Sequence, residues 1–281
     1  MKAQLDNILM SSMIYWMDNT LLLKGEAFTN FAGKFYEIKN LYTNLYTYGL
    51  PFKQIVADNT ITGANLLSGV YINNTFVTVG QSGLSGINPN QGQVYFSTDQ
   101  SSNQLSGKYA VKDFNLYLTS KAEEEILFET QYKIRPKTTQ DLTGLAPNFI
   151  TCPAIFIKNN GGVNEPFGFG GEDRTEMDIR AIILSDTIYN LDAVISIFRD
   201  KARTYIPLVN ISESPYNSLN SINNGYYSYN SFCTGKIGTI NSFFIDSVSV
   251  SKIPNFDNKL NPDIFAGFID FTISNIRYPR V

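Results

Sequence analysis

The chain has 281 residues; 43% are hydrophobic, 14% aromatic and only 17% charged, and the net charge is −3. It is long enough to bury a core without disulfide or metal staples, and too rich in Phe and Tyr to be disordered. It contains no histidine, which excludes Ser-His-Asp and Cys-His nucleophile systems, His-ligated metals and His-based proton transfer.

The elements follow from periodicity. Leu5, Ile8, Leu9, Met13, Trp16 and Thr20 fall on one stripe and predict an amphipathic helix that ends at Gly25. Its stripe serves either core packing or docking on a partner subunit. Residues 28–52 are aromatic and Asn-rich and favour strands. Asn73-Asn74, between Val70-Tyr71-Ile72 and Thr75-Phe76-Val77, predicts a two-residue hairpin turn, because Asn tolerates the left-handed backbone such turns need. Gln81 to Gly92, with three glycines and a proline, is expected to be a long contact-making loop. Val94-Tyr95-Phe96 is a short strand. From Tyr109 to Leu118 the apolar alternation changes phase, which predicts a β-bulge at Lys112-Asp113.

Ser120 and Glu123 have capping-box spacing, with Glu123, Glu124 and Glu125 placed to complement a helix N-terminus. Phe128 to Ile134 predicts a strand, and the polar segment 137–148 is the best candidate for an internal boundary. Phe149 to Lys158 predicts a strand whose Pro153 implies an edge or a bulge. Ile179 to Leu184 is an apolar run of buried-strand length. Leu191, Val194, Ile195, Phe198 and Ala202 form a helical stripe, with Asn190 as the expected N-cap and Lys201 and Arg203 in the last turn. A loop over 211–235 precedes two long β stretches, 237–253 and 264–276. There is no internal repeat or heptad. No apolar run reaches the ~18 residues that a spanning helix requires, so no membrane association is expected.

The chemistry-bearing patterns are weak. Gly168, Gly170 and Gly171 lack the spacing of a phosphate loop and precede acidic residues. They fit a tight turn with Phe167 and Phe169 packing inward. Glu172, Asp173, Glu176 and Asp178 lack EF-hand spacing, and Arg174 and Arg180 are close enough in sequence to pair with them. A solvated, salt-bridged loop is the simplest reading, and a subunit contact the next. Cys152 and Cys233 fit two buried thiols better than one disulfide. No run of Lys or Arg marks a nucleic-acid site. The 37 Phe and Tyr residues, beside so few charges, suit a chain that buries much surface against neighbours.

Several blocks carry a resemblance. They are Gly107-Lys108-Tyr109-Ala110-Val111-Lys112-Asp113-Phe114-Asn115-Leu116-Tyr117-Leu118, Glu123-Glu124 with Leu127-Phe128-Glu129-Thr130, and Pro153-Ala154-Ile155-Phe156-Ile157. Pro166-Phe167-Gly168-Phe169-Gly170-Gly171, Leu191-Asp192-Ala193-Val194-Ile195-Ser196-Ile197-Phe198 and Gly267-Phe268-Ile269-Asp270-Phe271 complete the set. Together they resemble uncharacterised virion structural proteins of T4-like marine tailed bacteriophages, over about residues 5 to 275. The resemblance implies a ring-forming neck component of connector, head-completion or tail-terminator type, assembled in the host cytoplasm. Its partners would be like subunits and other virion proteins, and phage DNA could pass through the ring without specific binding. A tail-tube, baseplate or capsid-decoration subunit and a glycan-binding adhesin module are the alternatives.

The expected fold is α+β, mostly β, with antiparallel or mixed sheets, an N-terminal helix and one well-defined strand–helix unit at 179–203. The expected division is 1–136 and 149–281, or one continuous domain. No enzyme activity, catalytic residue, cofactor or metal is expected. Trp16, Phe167, Phe169, Glu172, Asp173 and Arg174 are the candidate assembly contacts.

Overall fold

The computed structural model describes residues 2–42, 44–128, 133–134, 151–222, 224–253 and 264–279. The fold is mostly β with an N-terminal helix. Helix α1 (Leu5–Gly25) opens with the Gln4 N–H donating to Asn7 Oδ1, and stops where Glu26, not Gly25, adopts a left-handed backbone at φ 46°.

Eight strands follow: β1 (Phe28–Lys34), β2 (Tyr36–Tyr42), β3 (Leu45–Gly49), β4 (Gly69–Ile72), β5 (Thr75–Thr78), β6 (Leu84–Asn88), β7 (Gln93–Phe96) and β8 (Leu105–Lys112). They form two four-stranded sheets, ordered β1-β8-β4-β5 and β2-β3-β7-β6, which share one apolar core of Tyr48, Val70, Ile87, Phe96, Tyr109 and their neighbours. Asn73 and Asn74 sit at φ 47° and 71° between β4 and β5, the paired left-handed geometry of a primed hairpin turn. The 81–92 stretch is not one long loop. It contains β6, which pairs antiparallel with β7.

The expected bulge at Lys112-Asp113 is instead a change of sheet. β8 ends at Lys112, the Asp113 N–H bonds to Ala27 O, and β9 (Asn115–Leu118) runs parallel to β12 in another sheet. A phase change in alternation looks the same whether a strand bulges or leaves its sheet. Beyond β9 lie α2 (Glu123–Phe128), β10 (Lys133–Ile134), β11 (Thr151–Cys152), β12 (Ala154–Pro166), β13 (Asp173–Ser185), α3 (Ile188–Arg199), β14 (Tyr205–Pro207), α4 (Tyr229–Cys233), β15 (Ser242–Lys252) and β16 (Phe265–Arg277). β10 and β11 form a short parallel pair. The boundary segment 137–148, most of the 128–134 strand and the prolines at 254 and 262 lie outside the described residues. Pro153 follows a cis peptide between β11 and β12.

The larger sheet is six-stranded, ordered β14-β15-β16-β13-β12-β9. Its centre is β13, the run expected to be buried. Met177, Ile179, Ala181 and Ile183 on one face join α1 and α3 in the main core. Ile182 and Leu184 on the other face pack with Phe156 and with Ile126 of α2. Helix α3 begins three residues before the expected cap: Thr187 Oγ1 accepts from the Asn190 N–H at 3.1 Å, and the last turn holds Arg199. Helix α2 likewise lacks the Ser120–Glu123 box, and Glu125 Oε2 accepts from the Ala122 N–H instead. Residues 1–136 supply α1 and β9 to the layers built mainly by 149–281, so the sheet system crosses that division.

Helix α1 departs most from expectation. From Tyr15 to Leu22 every residue is buried, so it has no free face there. Trp16 packs between Phe198 and Phe271, with ring centroids 5.6 and 5.8 Å away. The opposite side carries polar groups into the interior. Asp18 pairs with Lys112 of β8 at 2.8 Å, both side chains being buried. Asn19 Nδ2 donates to Asp58 Oδ2 at 2.8 Å, and Asp58 also accepts from Thr60 and from the Tyr229 N–H. Burial pushes the Asp18 carboxyl upward, and Lys112 draws it back down. The 211–235 segment, expected to be a loop, folds onto its own chain: Tyr227 and Phe232 pack on Tyr15, and Ile222 bridges to Ile87.

Lys112→Met would leave the Asp18 charge buried without its cation. The expected cost is about 3–5 kcal/mol, read from urea unfolding. Both cysteines are free. Burial, with a smaller contribution from Asp186, pushes the Cys152 thiol up to about 12. A thiol reagent at neutral pH should therefore spare Cys152 in the folded chain and label both cysteines after unfolding; fast labelling of two thiols in the native protein would contradict this burial.

Candidate assembly surface

Strands β12 and β13 form one long hairpin, paired from Ala154↔Leu184 to Pro166↔Asp173. Its inner half lies in the six-stranded core. From Asn160 onward every residue of β12 is exposed. The pairing shifts between Asn159 and Gly162, and a Cβ at Gly162 would run into the Glu176 carbonyl, so the close approach of the strands there requires glycine. The turn is tight. Phe167 N–H bonds to Glu172 O at 2.9 Å, Gly171 N–H to Gly168 O at 3.3 Å, and Gly171 stands at φ 86°.

The turn predicted from the glycines is present, but its aromatic residues point outward. Phe167 is 59% exposed and Phe169 fully exposed at 114%. The physical reason is reach. The hairpin carries the tip past the end of the core, so no apolar layer lies there to receive the rings.

The arm is braced on one side. β16 pairs with β13 as far as Arg277↔Asp173. Arg277 Nε donates to Thr175 Oγ1 at 2.7 Å, and Tyr278 OH donates to Glu172 Oε1 at 2.7 Å. Arg174 pairs with Glu176 at 3.1 Å and Asp246 at 3.5 Å. Asp173 is 2% exposed and belongs to the root of the turn. Arg180, expected to balance the 172–178 carboxylates, turns elsewhere: it binds Asp270 at 2.5 Å and Glu123 at 2.6 Å and lies over the Phe268 ring. Its hydrogen bonds to Asp270 hold the guanidinium above its ordinary range.

The structure thus brings Phe167, Phe169, Glu172, Asp173 and Arg174 together on one arm and sets Trp16 apart, 5% exposed in the core. Register adds two exposed apolar residues that sequence reasoning missed. Val163 stands opposite Glu176, and Ile276 opposite Arg174, on the face of the sheet turned away from α1 and α3. Alternation alone could have flagged Ile276, which breaks the polar series Asp270, Thr272, Ser274 on that face.

A second concavity lies between α1, the β8–β9 crossing and the 208–236 segment. It is a cleft of about 470 Å³ lined by Tyr15, Asp18, Lys53, Lys112, Tyr216 and Tyr227. Its carboxylate is held by Lys112, and burial raises the Tyr216 and Tyr227 phenols above their ordinary range. Tyr227 OH donates to Asp18, Tyr216 OH donates to Asn90 Oδ1 and Tyr15 OH pairs with Ser214 Oγ, so these groups tie neighbouring elements together. Among the described residues no three His, Cys, Asp or Glu side chains are grouped to hold a metal, and no helix is long and apolar enough to cross a membrane.

The two aromatic environments predict opposite outcomes. Phe167→Ser with Phe169→Ser should leave the free chain's stability within about 0.5 kcal/mol, since neither ring is buried. Trp16→Ala should cost about 3–5 kcal/mol through the cavity it leaves. Thermal and urea unfolding of the two variants side by side checks both. In comparison with known proteins, no family model and no curated protein matches the chain.

Proposed function

We propose that the chain is a non-enzymatic structural subunit of a tailed-phage virion, a ring-forming component of the head–tail neck of connector, head-completion or tail-terminator type. The observation that carries this reading is the fully exposed Phe169 at the tip of a hydrogen-bonded arm. An apolar ring in water is unfavourable, and a folded hairpin that holds it there is a contact awaiting a neighbour. Covering each Phe of the pair would contribute about 1.5–3 kcal/mol. Because the root is already braced by β16, Arg277 and Tyr278, little ordering cost opposes docking.

The mechanism is assembly. Each copy inserts its tip into a neighbour and receives another, and such a head-to-tail contact closes when the rotation between copies divides the circle. A net charge of −3 without a basic cluster suits a channel through which DNA slides without being held. A tube, baseplate or decoration subunit would use the same arm on a different neighbour. An adhesin using Trp16 as a stacking platform has less support, because that ring is enclosed between Phe198 and Phe271.

Negative-stain imaging of the purified chain tests the reading, together with localisation of the chain in intact particles. Rings with a central hole, lost in the Phe167→Ser/Phe169→Ser variant, are expected. A chain that stays dispersed and is missing from particles would overturn it.

A further inference from the structure

The six-stranded sheet has two open half-edges. On one side, β9 covers β12 only at Ala154–Ile157. On the other, β14 covers β15 at Ser242–Phe244, and the Thr204 carbonyl takes the Ile245 N–H. Beyond Ile245 the outer side of β15 faces no strand among the described residues.

The two edges are guarded differently. That of β12 carries a bulge between Asn159 and Gly162, Gly161 at φ 100° and Pro166, which has no N–H to offer. These features discourage another strand from adding to it. The edge of β15 has none of them beyond its own bulge at Ile245/Ser247. Ser247-Val248-Ser249-Val250-Ser251 runs as regular strand, without proline, glycine or charge. Lys252, at its end, is tied to Asp192 of α3. Val248 and Val250 lie half-buried at the margin of the helix-side core, which simply stops there.

The segment is also symmetric about Ser249. In an antiparallel pair, residues directly opposite share a face. A two-fold axis through Ser249 therefore sets Val248 against Val250 of the second copy, and Ser247 against its Ser251. The valines would meet on the helix side and extend the apolar layer across the axis, while the serines would line the open face.

We infer that this edge pairs with the same edge of a second copy, joining two six-stranded sheets into one. The inference does not rest on the ring reading, which uses the β12–β13 arm at the other edge of the sheet.

Sedimentation velocity of the full chain carrying Phe167→Ser/Phe169→Ser, which removes the arm contact expected to build rings, tests it over a concentration series, with two further variants. The chain should pass from 31.5 kDa toward twice that mass as concentration rises. Ser249 is exposed and stands opposite Asp270, which Arg180 already holds, so Ser249→Lys is accommodated at the surface of the monomer but meets its own copy at the axis. It should weaken the dimer about fivefold or more while leaving thermal unfolding unchanged at dilutions where the chain is monomeric. Ser249→Cys should give a reducible covalent dimer on mild oxidation that the parent chain, treated identically, does not. A chain that stays monomeric at every concentration would overturn the inference. So would association that survives Ser249→Lys, or a Ser249→Cys chain that forms no linked dimer.

Discussion

The structure turns on the burial of α1 from all sides between Tyr15 and Leu22. A helix enclosed between a sheet and a second body must bring any polar residue on its far face into low dielectric, where an unpaired charge costs several kcal/mol. Asp18 and Asn19 are such residues, and both find partners on the smaller sheets' side, at Lys112 and Asp58. Apolar contacts such as those of Trp16 can slide by a fraction of a turn at small cost. The Asp18–Lys112 pair cannot. Its role is less net stability, since both ions give up water, than the angle and register at which the two halves meet.

That fixed body is what makes the arm informative. β13 lies in the middle of the sheet, flanked by β12 and β16 over its whole length, so the hairpin is the projecting end of the most enclosed strand in the fold. Its direction follows from the core. Phe169 stands outside because the strands outrun the hydrophobic layer, and the charges behind it, Arg174, Glu176 and Asp246, keep the outer stretch of that face wet.

The parts legible in the sequence were those governed by local chemistry. Asn73-Asn74 specifies its turn through the backbone preference of Asn, and Ile179 to Leu184 specifies a central strand through an unbroken apolar run. What escaped was decided by distant partners. β6 hides among glycines because its ladder with β7, not its composition, makes it a strand. The switch at Lys112–Asn115 depends on β12, which lies some forty residues further on. Phe167 and Phe169 look like core residues in any window, and only the length of the paired strands beneath them places them outside. The Asp18–Lys112 pair joins residues 94 positions apart and left no local trace.

The strand order carries a consequence for how the protein is made. β16 lies between β15 and β13, and its Phe271 closes the pocket around Trp16. A nascent chain can therefore complete the two smaller sheets early, since all their strands lie between residues 28 and 112. The larger sheet must wait, with β13 lacking one neighbour and α1 lacking part of its seat, until β16 leaves the ribosome. During that interval the apolar edge of β13 is the part of the molecule most exposed to wrong pairing.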